Sequence, residues 1–325
     1  MQSIKDAAKL AKKINYWLER LIPVTTPFGI VMGFVLSGVF VNLRPLVTWL
    51  FGIMTFSGAL KLKASELGAA VKTPMPIILF FAAAHLLMPV FSMLTSSLFF
   101  ENPDVISGFV LLFSGPTAVS GFIWVSILKG DMALGLTLIL LDTLLAPVVV
   151  PGSISILMSA KVAMDMSGIA LSLLFMVVIP TIIGVTINET SRGKIPASVC
   201  PFVDPIAKIC LITVIATNAS IIAPGIKFSD PLIWKIAALV IALTFAGFAL
   251  IKLITVIGKC RFPKDITVII CSGLRNNSAV MTIAVAFFPQ AAVLPVLISI
   301  IIQQSVAAIM GKMFAKSEKL QAAGE

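Results

Sequence analysis

Apolar and polar residues alternate in this chain by whole segments, not by single positions. Ten apolar segments run near residues 25–43, 46–60, 74–98, 106–128, 132–157, 166–187, 204–223, 231–256, 265–288 and 292–314. Most match the ~20 residues that an α-helix needs to cross a bilayer. The polar breaks are short: LRP at 43–45, ENPD at 101–104, KGD at 129–131 and FPQ at 288–290. Such connections force consecutive helices to run antiparallel. Ahead of the first segment, residues 3–20 (IKDAAKLAKKINYWLERL) carry a helical period. Ile4, Ala8, Leu10, Ile14, Trp17 and Leu18 favour one side; Lys5, Lys9, Lys12 and Lys13 favour the other. The pattern predicts an interfacial helix over 1–22, its lysines toward anionic lipid.

Composition narrows the class. Of 325 residues, 59% are hydrophobic and 12% charged, with a mean hydropathy of +1.09. A soluble domain carries about 25% charged residues, so soluble and disordered chains are both excluded. A transmembrane β-barrel alternates polarity along each strand, and these runs do not. The prediction is an all-α polytopic membrane protein with ten transmembrane helices.

The net charge of +10 points to orientation in the bilayer and not to nucleic acid. With the N-terminus inside, Arg44, Lys161, Lys227 and Lys235 fall outside, and Lys208, Lys252 and Arg275 fall within spans or at their ends. The remaining 17 of the 24 lysines and arginines fall inside. The positive-inside rule therefore predicts a multi-pass inner or plasma membrane protein with both termini cytoplasmic. Residues 1–20 lack the apolar core and cleavage site of a signal peptide. Cys200, Cys210, Cys260 and Cys271 have neither zinc nor disulfide spacing. No GxSxG, HExxH or GxxxxGK[ST] occurs, so no enzyme and no nucleotide-driven pump is predicted. No cofactor and no obligatory protein partner is called for.

Ten spans divide into five and five, and an odd number per half inverts one half relative to the other. The boundaries drawn are 23–157 for the first repeat, 158–315 for the second, and 316–325 for a cytoplasmic tail. At the fourth position of each half stands a polar, helix-breaking run: FSGPTAVSG (113–121) and CSGLRNNSA (271–279). Proline removes a backbone donor and glycine tolerates non-helical geometry. Both spans are expected to break, near 115–121 and 272–278, and to face each other.

Ionisable groups inside a span are costly and are functional candidates by default. Arg275 is read either as an anion-binding charge or as the permanent ion-pair partner of Asp142. Asn276 and Asn277 follow it, Thr117 stands in the fourth span, and Gln303 and Gln304 are adjacent in the tenth. These six are the substrate-side candidates. Asp142, Thr143, Ser120 and Ser272 are candidates for a coupling cation or proton. His85 and Asn218 are read as packing polar groups.

Several stretches resemble the bile acid:sodium symporter family, including its bacterial apical bile acid transporter homologues. They are FGIMTFSGALKLKASELGAAVKTP (51–74), HLLMP (85–89), the GP…SG break followed by KGDMAL (129–134), SGLRNNSA (272–279) and LPVLISIIIQQS (294–305). The resemblance implies a panel domain (spans 1, 2, 6 and 7) and a core domain (spans 3–5 and 8–10). It also implies that spans 4 and 9 cross at unwound centres, with substrate beside the crossing. It implies organic-anion substrates, such as bile salts and pantoate-like hydroxy acids, usually driven by sodium. The family's sodium-binding side chains are substituted here. A Ser-Asn pair falls at Gly121 and Phe122, hydroxyl ligands at Gly135 and Ile139, a Glu at Cys271 and a Gln at Arg275. A His-Asn pair becomes Gln303-Gln304. The resemblance thus carries the fold further than it carries sodium. The expected function is a secondary transporter of a small organic anion. The alternatives are a sodium-coupled bile acid or pantoate-type symporter, and a membrane sensor or channel-like protein on the same fold.

Overall fold

The computed structural model describes residues 28–62, 74–158, 165–225 and 229–322, with Asn15 and Trp17. The interfacial helix expected over 1–22 lies outside these, apart from those two residues. In chain order the helices are α1 (28–35), α2 (Val47–Ala59), α3 (Pro74–Phe99), α4 (Pro103–Ser114), α5 (Gly121–Ile127) and α6 (Met132–Met158). They continue as α7 (Met166–Ser191), α8 (Lys194–Ile222), α9 (Pro231–Ile257), α10 (Lys264–Gly273), α11 (Asn277–Phe287) and α12 (Gln290–Ala322). Among the described residues one isolated β-bridge is the sole extended pairing. Among the described residues seven helical stretches are long and apolar enough to cross a membrane: Ser37–Ala59, α3, α6, α7, α8, α9 and Gln290–Gly311. Large apolar side chains such as Trp49, Leu98, Val148, Ile156 and Ile257 lie on the outside of their helices, each more than two-thirds exposed. A water-facing surface does not present such a continuous apolar coat. The protein is an integral membrane protein.

Helix starts follow local chemistry. Asn102 accepts the Asp104 N–H at 2.9 Å and Asp230 accepts the Leu232 N–H at 2.8 Å. Each is followed by proline at the first helical position, where its missing N–H costs nothing. Two boundaries differ from those expected. α8 starts at Lys194, ten residues before the apolar run at 204, and passes through Pro201 and Pro205. The turn that sets it up is Arg192 and Gly193, both at positive φ (52° and 77°). α12 runs on to Ala322, past the apolar limit at 314. In both cases the backbone stays helical where the side chains turn polar.

The chain separates into two compact units: residues 1–65 with 172–226, and residues 66–171 with 227–325. In the first, α2 packs on α8 and on α7. A Cβ on Gly29 would meet Ile212 and Ile215, and one on Gly33 would lie 2.2 Å from the Ala216 carbonyl. α1 therefore runs parallel to α8 at backbone contact, which only a small residue permits. Ser57, by contrast, donates to Asp204 at 2.8 Å, well before Ala216 along α8. A straight helix would carry residue 57 ~36 Å beyond residue 33. The chain must turn back between them, and the 3-10 segment Val41–Leu46 with Pro45 lies in that interval. Lys61 also reaches Asp204 at 2.8 Å, and Asn188 donates to the Leu62 carbonyl at 2.8 Å.

In the second unit, α4 is held between α3, α6 and α12, and α10 between α9, α5, α6 and α3. Every residue of α4 from Val105 to Ser114, and of α10 from Asp265 to Ser272, is buried. A helix apolar on all sides is one surrounded by protein. Gly108 lets α4 approach the backbone of α12: a Cβ there would be 2.2 Å from the Ala292 carbonyl. Two helices wrapped in this way can end abruptly, because the freed backbone groups stay within protein.

Candidate functional site

α4 stops at Ser114 and the chain resumes as α5 at Gly121. α10 stops at Gly273 and resumes as α11 at Asn277. The two extended segments meet at the bridge between Thr117 and Arg275. Ala118 N–H donates to the Leu274 carbonyl at 3.0 Å, and Asn276 N–H donates to the Pro116 carbonyl at 2.7 Å. Each strand thus uses the residue after its bridge position as donor and the residue before it as acceptor. The crossing is locally two-fold symmetric.

In such an antiparallel pair the bridge residues themselves point their N–H groups away from the partner strand. With only two strands, no third strand receives them, and buried N–H groups need acceptors. The Thr117 N–H is taken by Asp142 Oδ2 at 2.5 Å, from α6. The Arg275 N–H is taken by Gln303 Oε1 at 3.1 Å, from α12. Gln303 Nε2 also donates to the Gly273 carbonyl at 3.3 Å, and the Thr117 hydroxyl donates to the Cys271 carbonyl at 2.8 Å. Both serve carbonyls at the end of α10, which that helix cannot satisfy itself.

The Arg275 guanidinium turns into the protein and is 1% exposed. It donates to the Gly115 carbonyl at 3.2 Å, just past the end of α4, and to the Ala84 carbonyl at 2.9 Å. A cation at a helix C-terminus meets the negative end of the helix dipole. Ala84 lies in a π-helical turn, Ala82–Leu87, within α3, and π turns recur at functional sites. No ion pair joins Arg275 directly to Asp142, though the two interact electrostatically. Of the two sequence readings of Arg275, direct contact with Asp142 is not seen, and the electrostatic pairing and the anion-binding charge both stand open. Asp142, fully buried, instead accepts at its other oxygen from His85 Nε2 at 2.6 Å. His85, which sequence reasoning assigned to packing, belongs to this constellation. One signal was available: the chain's one histidine shares the apolar spans with very few carboxylates.

The remaining candidates separate by depth. Thr117, Gln303, Ser272 and Thr143 are buried beside Arg275 and Asp142. Asn276, Asn277 and Ser120 are half-buried and Gln304 is exposed. Asn276 caps α11 by accepting the Ala279 N–H at 3.2 Å. Trp124 Nε1 donates to Gln304 Oε1 at 2.9 Å, and Gln304 Nε2 to Ser120 Oγ at 3.2 Å. Sequence reasoning missed Trp124, whose indole joins this open polar face. The His85 Nδ1, Ser114 Oγ, Ser272 Oγ, Arg275 Nε and Asn277 Oδ1 atoms are buried without a hydrogen-bond partner. Buried polar atoms are nearly always paired, and five of the six such atoms among the described residues lie on the two breaks or the π turn of α3, the sixth being Thr217 Oγ1 in the other unit. Among the described residues no three His, Cys, Asp or Glu side chains gather as a metal site.

The family model for the sodium bile acid symporter family matches residues 47–226. Uncharacterized protein YbaS of Bacillus subtilis is 37% identical over 298 residues, covering 91% of this chain and 97% of that protein. The uncharacterized sodium-dependent transporter YocS of the same organism is 21% identical over 318 residues, 97% of each chain. The probable sodium/metabolite cotransporter BASS3 of rice chloroplasts is 27% identical over 256 residues, 77% of this chain and 59% of that one. The family model covers more than half of the chain, and this leads to one conclusion: this membrane protein belongs to the sodium bile acid symporter family, and is a transporter, not an enzyme.

Proposed function

We propose that the protein is a secondary transporter of a small organic anion, working by alternating access. Its ten spans form two inverted five-helix repeats, with both termini on the cytoplasmic side of the plasma membrane. Two breaks at matching positions, with the same donor and acceptor pattern on each strand, support the repeat. The lysine and arginine asymmetry supports the orientation. A cysteine placed at 188–200 should accordingly react with an impermeant thiol reagent only from the cytoplasmic side.

The observation that carries the function is the placement of Arg275: a buried guanidinium at the crossing, held by backbone carbonyls with no carboxylate in direct contact. It supplies a fixed positive charge beside the half-buried Asn276, Asn277 and Ser120 and the exposed Gln304, which are taken as the substrate face. The anion binds at that face, and Thr117 and Gln303 hold the charge in place from behind. A fixed charge performs at this site the work that a bound sodium ion would otherwise do, so uptake proceeds without sodium. Asp142 has both oxygens engaged by protein donors, which fits poorly with a sodium ligand.

The test is counterflow in proteoliposomes with radiolabelled lactate, pyruvate, pantoate and taurocholate, in sodium and in potassium buffer. At least one is expected to exchange equally in both, with trans-acceleration that a channel or sensor lacks. Arg275→Gln is expected to abolish it: a unit charge ~6 Å away is worth ~3 kcal/mol at an effective dielectric near 20. Normal exchange by Arg275→Gln would refute the reading. A strict sodium requirement would favour a second reading, sodium-coupled symport, which is how YocS and the rice cotransporter are named.

A further inference from the structure

The anion reading leaves a buried pair unused. His85 Nε2 and Asp142 Oδ1 are 2.6 Å apart, with side chains 6% and 0% exposed. The imidazole stacks on Phe81 with centroids 5.7 Å apart, and meets the edge of the buried Phe80 at 6.2 Å. Its other nitrogen, Nδ1, is buried and has no partner. Asp142 is fastened on its second oxygen by the Thr117 N–H, that is, by the crossing strand itself. From the packed elements, the other charged or titratable groups at this point are Arg275 on the second strand and Cys271 at the end of α10.

We propose that the His85–Asp142 pair is a proton-binding site, and that its proton is the ion coupled to anion transport. The inference rests on the anion-transport reading above. The charge at the crossing follows directly. With the pair holding no extra proton, Arg275 and Asp142 cancel and an incoming anion meets no net charge. With a proton on the pair, Nδ1 becomes a donor, the crossing carries one net positive charge, and a monoanion restores neutrality. Proton and anion therefore bind each other's state preferentially, and by linkage each raises the affinity for the other by the same factor. One proton moves with one monocarboxylate, so transport is electroneutral. The pair also touches both parts that must move together: the π turn of α3, whose Ala84 carbonyl holds Arg275, and the Thr117 strand. Histidine suits the task because one ring nitrogen can stay on the carboxylate while the other gains a proton.

The chain contains one histidine, so labelling with [15N]histidine places a single imidazole in the spectrum. In detergent-solubilised protein its nitrogen resonances are expected to change as the pH is lowered, and Asp142→Asn is expected to displace that change along the pH axis. An imidazole spectrum constant over the pH range in which the protein stays folded, or an unchanged titration in Asp142→Asn, overturns the proposal. In sodium-free proteoliposomes containing pyranine, an inside-alkaline gradient is expected to stimulate uptake of the exchanging carboxylate several-fold, with acidification of the lumen. His85→Gln is expected to lose the stimulation. Exchange indifferent to the gradient, or full stimulation in His85→Gln, overturns the coupling. Absence of exchange for all four carboxylates refutes anion transport, and with it the coupling. The titration, which needs no substrate, then still decides whether the pair binds a proton.

Discussion

The two strands of the crossing solve the same backbone problem with different chemistry. Thr117 and Arg275 occupy equivalent places, each with an N–H facing away from the other strand. The first strand hands its N–H to a carboxylate, Asp142, which brings a negative charge and, through it, His85. The second hands its N–H to a neutral amide, Gln303, and carries its charge on the strand itself. One half thus acquires a histidine–carboxylate pair, the other a guanidinium that cannot shed its proton. Local symmetry places both strands, and the departure from symmetry supplies the electrostatics. Two neutral acceptors could take the same N–H groups but would leave the Arg275 charge permanently unanswered.

The largest effect is expected from making the first strand resemble the second. Asp142→Asn keeps an oxygen for the Thr117 N–H but removes the charge that answers Arg275. Losing one member of a buried charge set costs ~3–5 kcal/mol. Thermal unfolding in detergent should show it, and adding Arg275→Gln should cost less than the two single changes together, since the two charges are coupled. Strict additivity would mean that the strands are electrostatically independent. The reverse change, Gln303→Glu, adds a carboxylate where the amide stood. It still accepts the Arg275 N–H but lowers the charge at the crossing by one. At ~8 Å and an effective dielectric near 20 this is worth ~2 kcal/mol, or roughly 30-fold in anion affinity. Transport at native affinity by Gln303→Glu would show that the neutral acceptor is incidental.

The breaks were legible because their cause is local: Gly115-Pro116 disfavours a helix where it stands, and Gly273 is the last helical residue of α10, ahead of a break at 274–276. Arg275 was legible because an arginine in an apolar span demands an explanation. Its partners were not, since carbonyls belong to every residue and nothing in the side-chain pattern marks Gly115 or Ala84 as acceptors. The pairing of His85 with Asp142 depends on the π turn over Ala82–Leu87, which a 3.6-residue period does not anticipate. The start of α8 at Lys194 was hidden for a related reason: hydropathy reports what side chains face, and that helix begins before its faces turn apolar.

The smallest effects test the helix starts beyond the breaks, where the halves differ again. α11 is capped: Asn276 Oδ1 accepts the Ala279 N–H. α5 begins after Ser120, whose side chain makes no capping bond and receives Gln304 Nε2 instead. Removing a cap of the first kind costs ~1 kcal/mol, so Asn276→Ala should lower stability by about that much. Ser120→Ala removes only one acceptor from the exposed Gln304 amide, and a change of that sort stays within ~0.5 kcal/mol. Thermal unfolding of the two variants in the same detergent compares them directly. If Ser120→Ala is as costly as Asn276→Ala, Ser120 supports its helix after all and the starts are equivalent. If it is nearly silent in stability yet weakens anion exchange, the serine at the first break serves the open face through Gln304, while the asparagine at the second serves the fold.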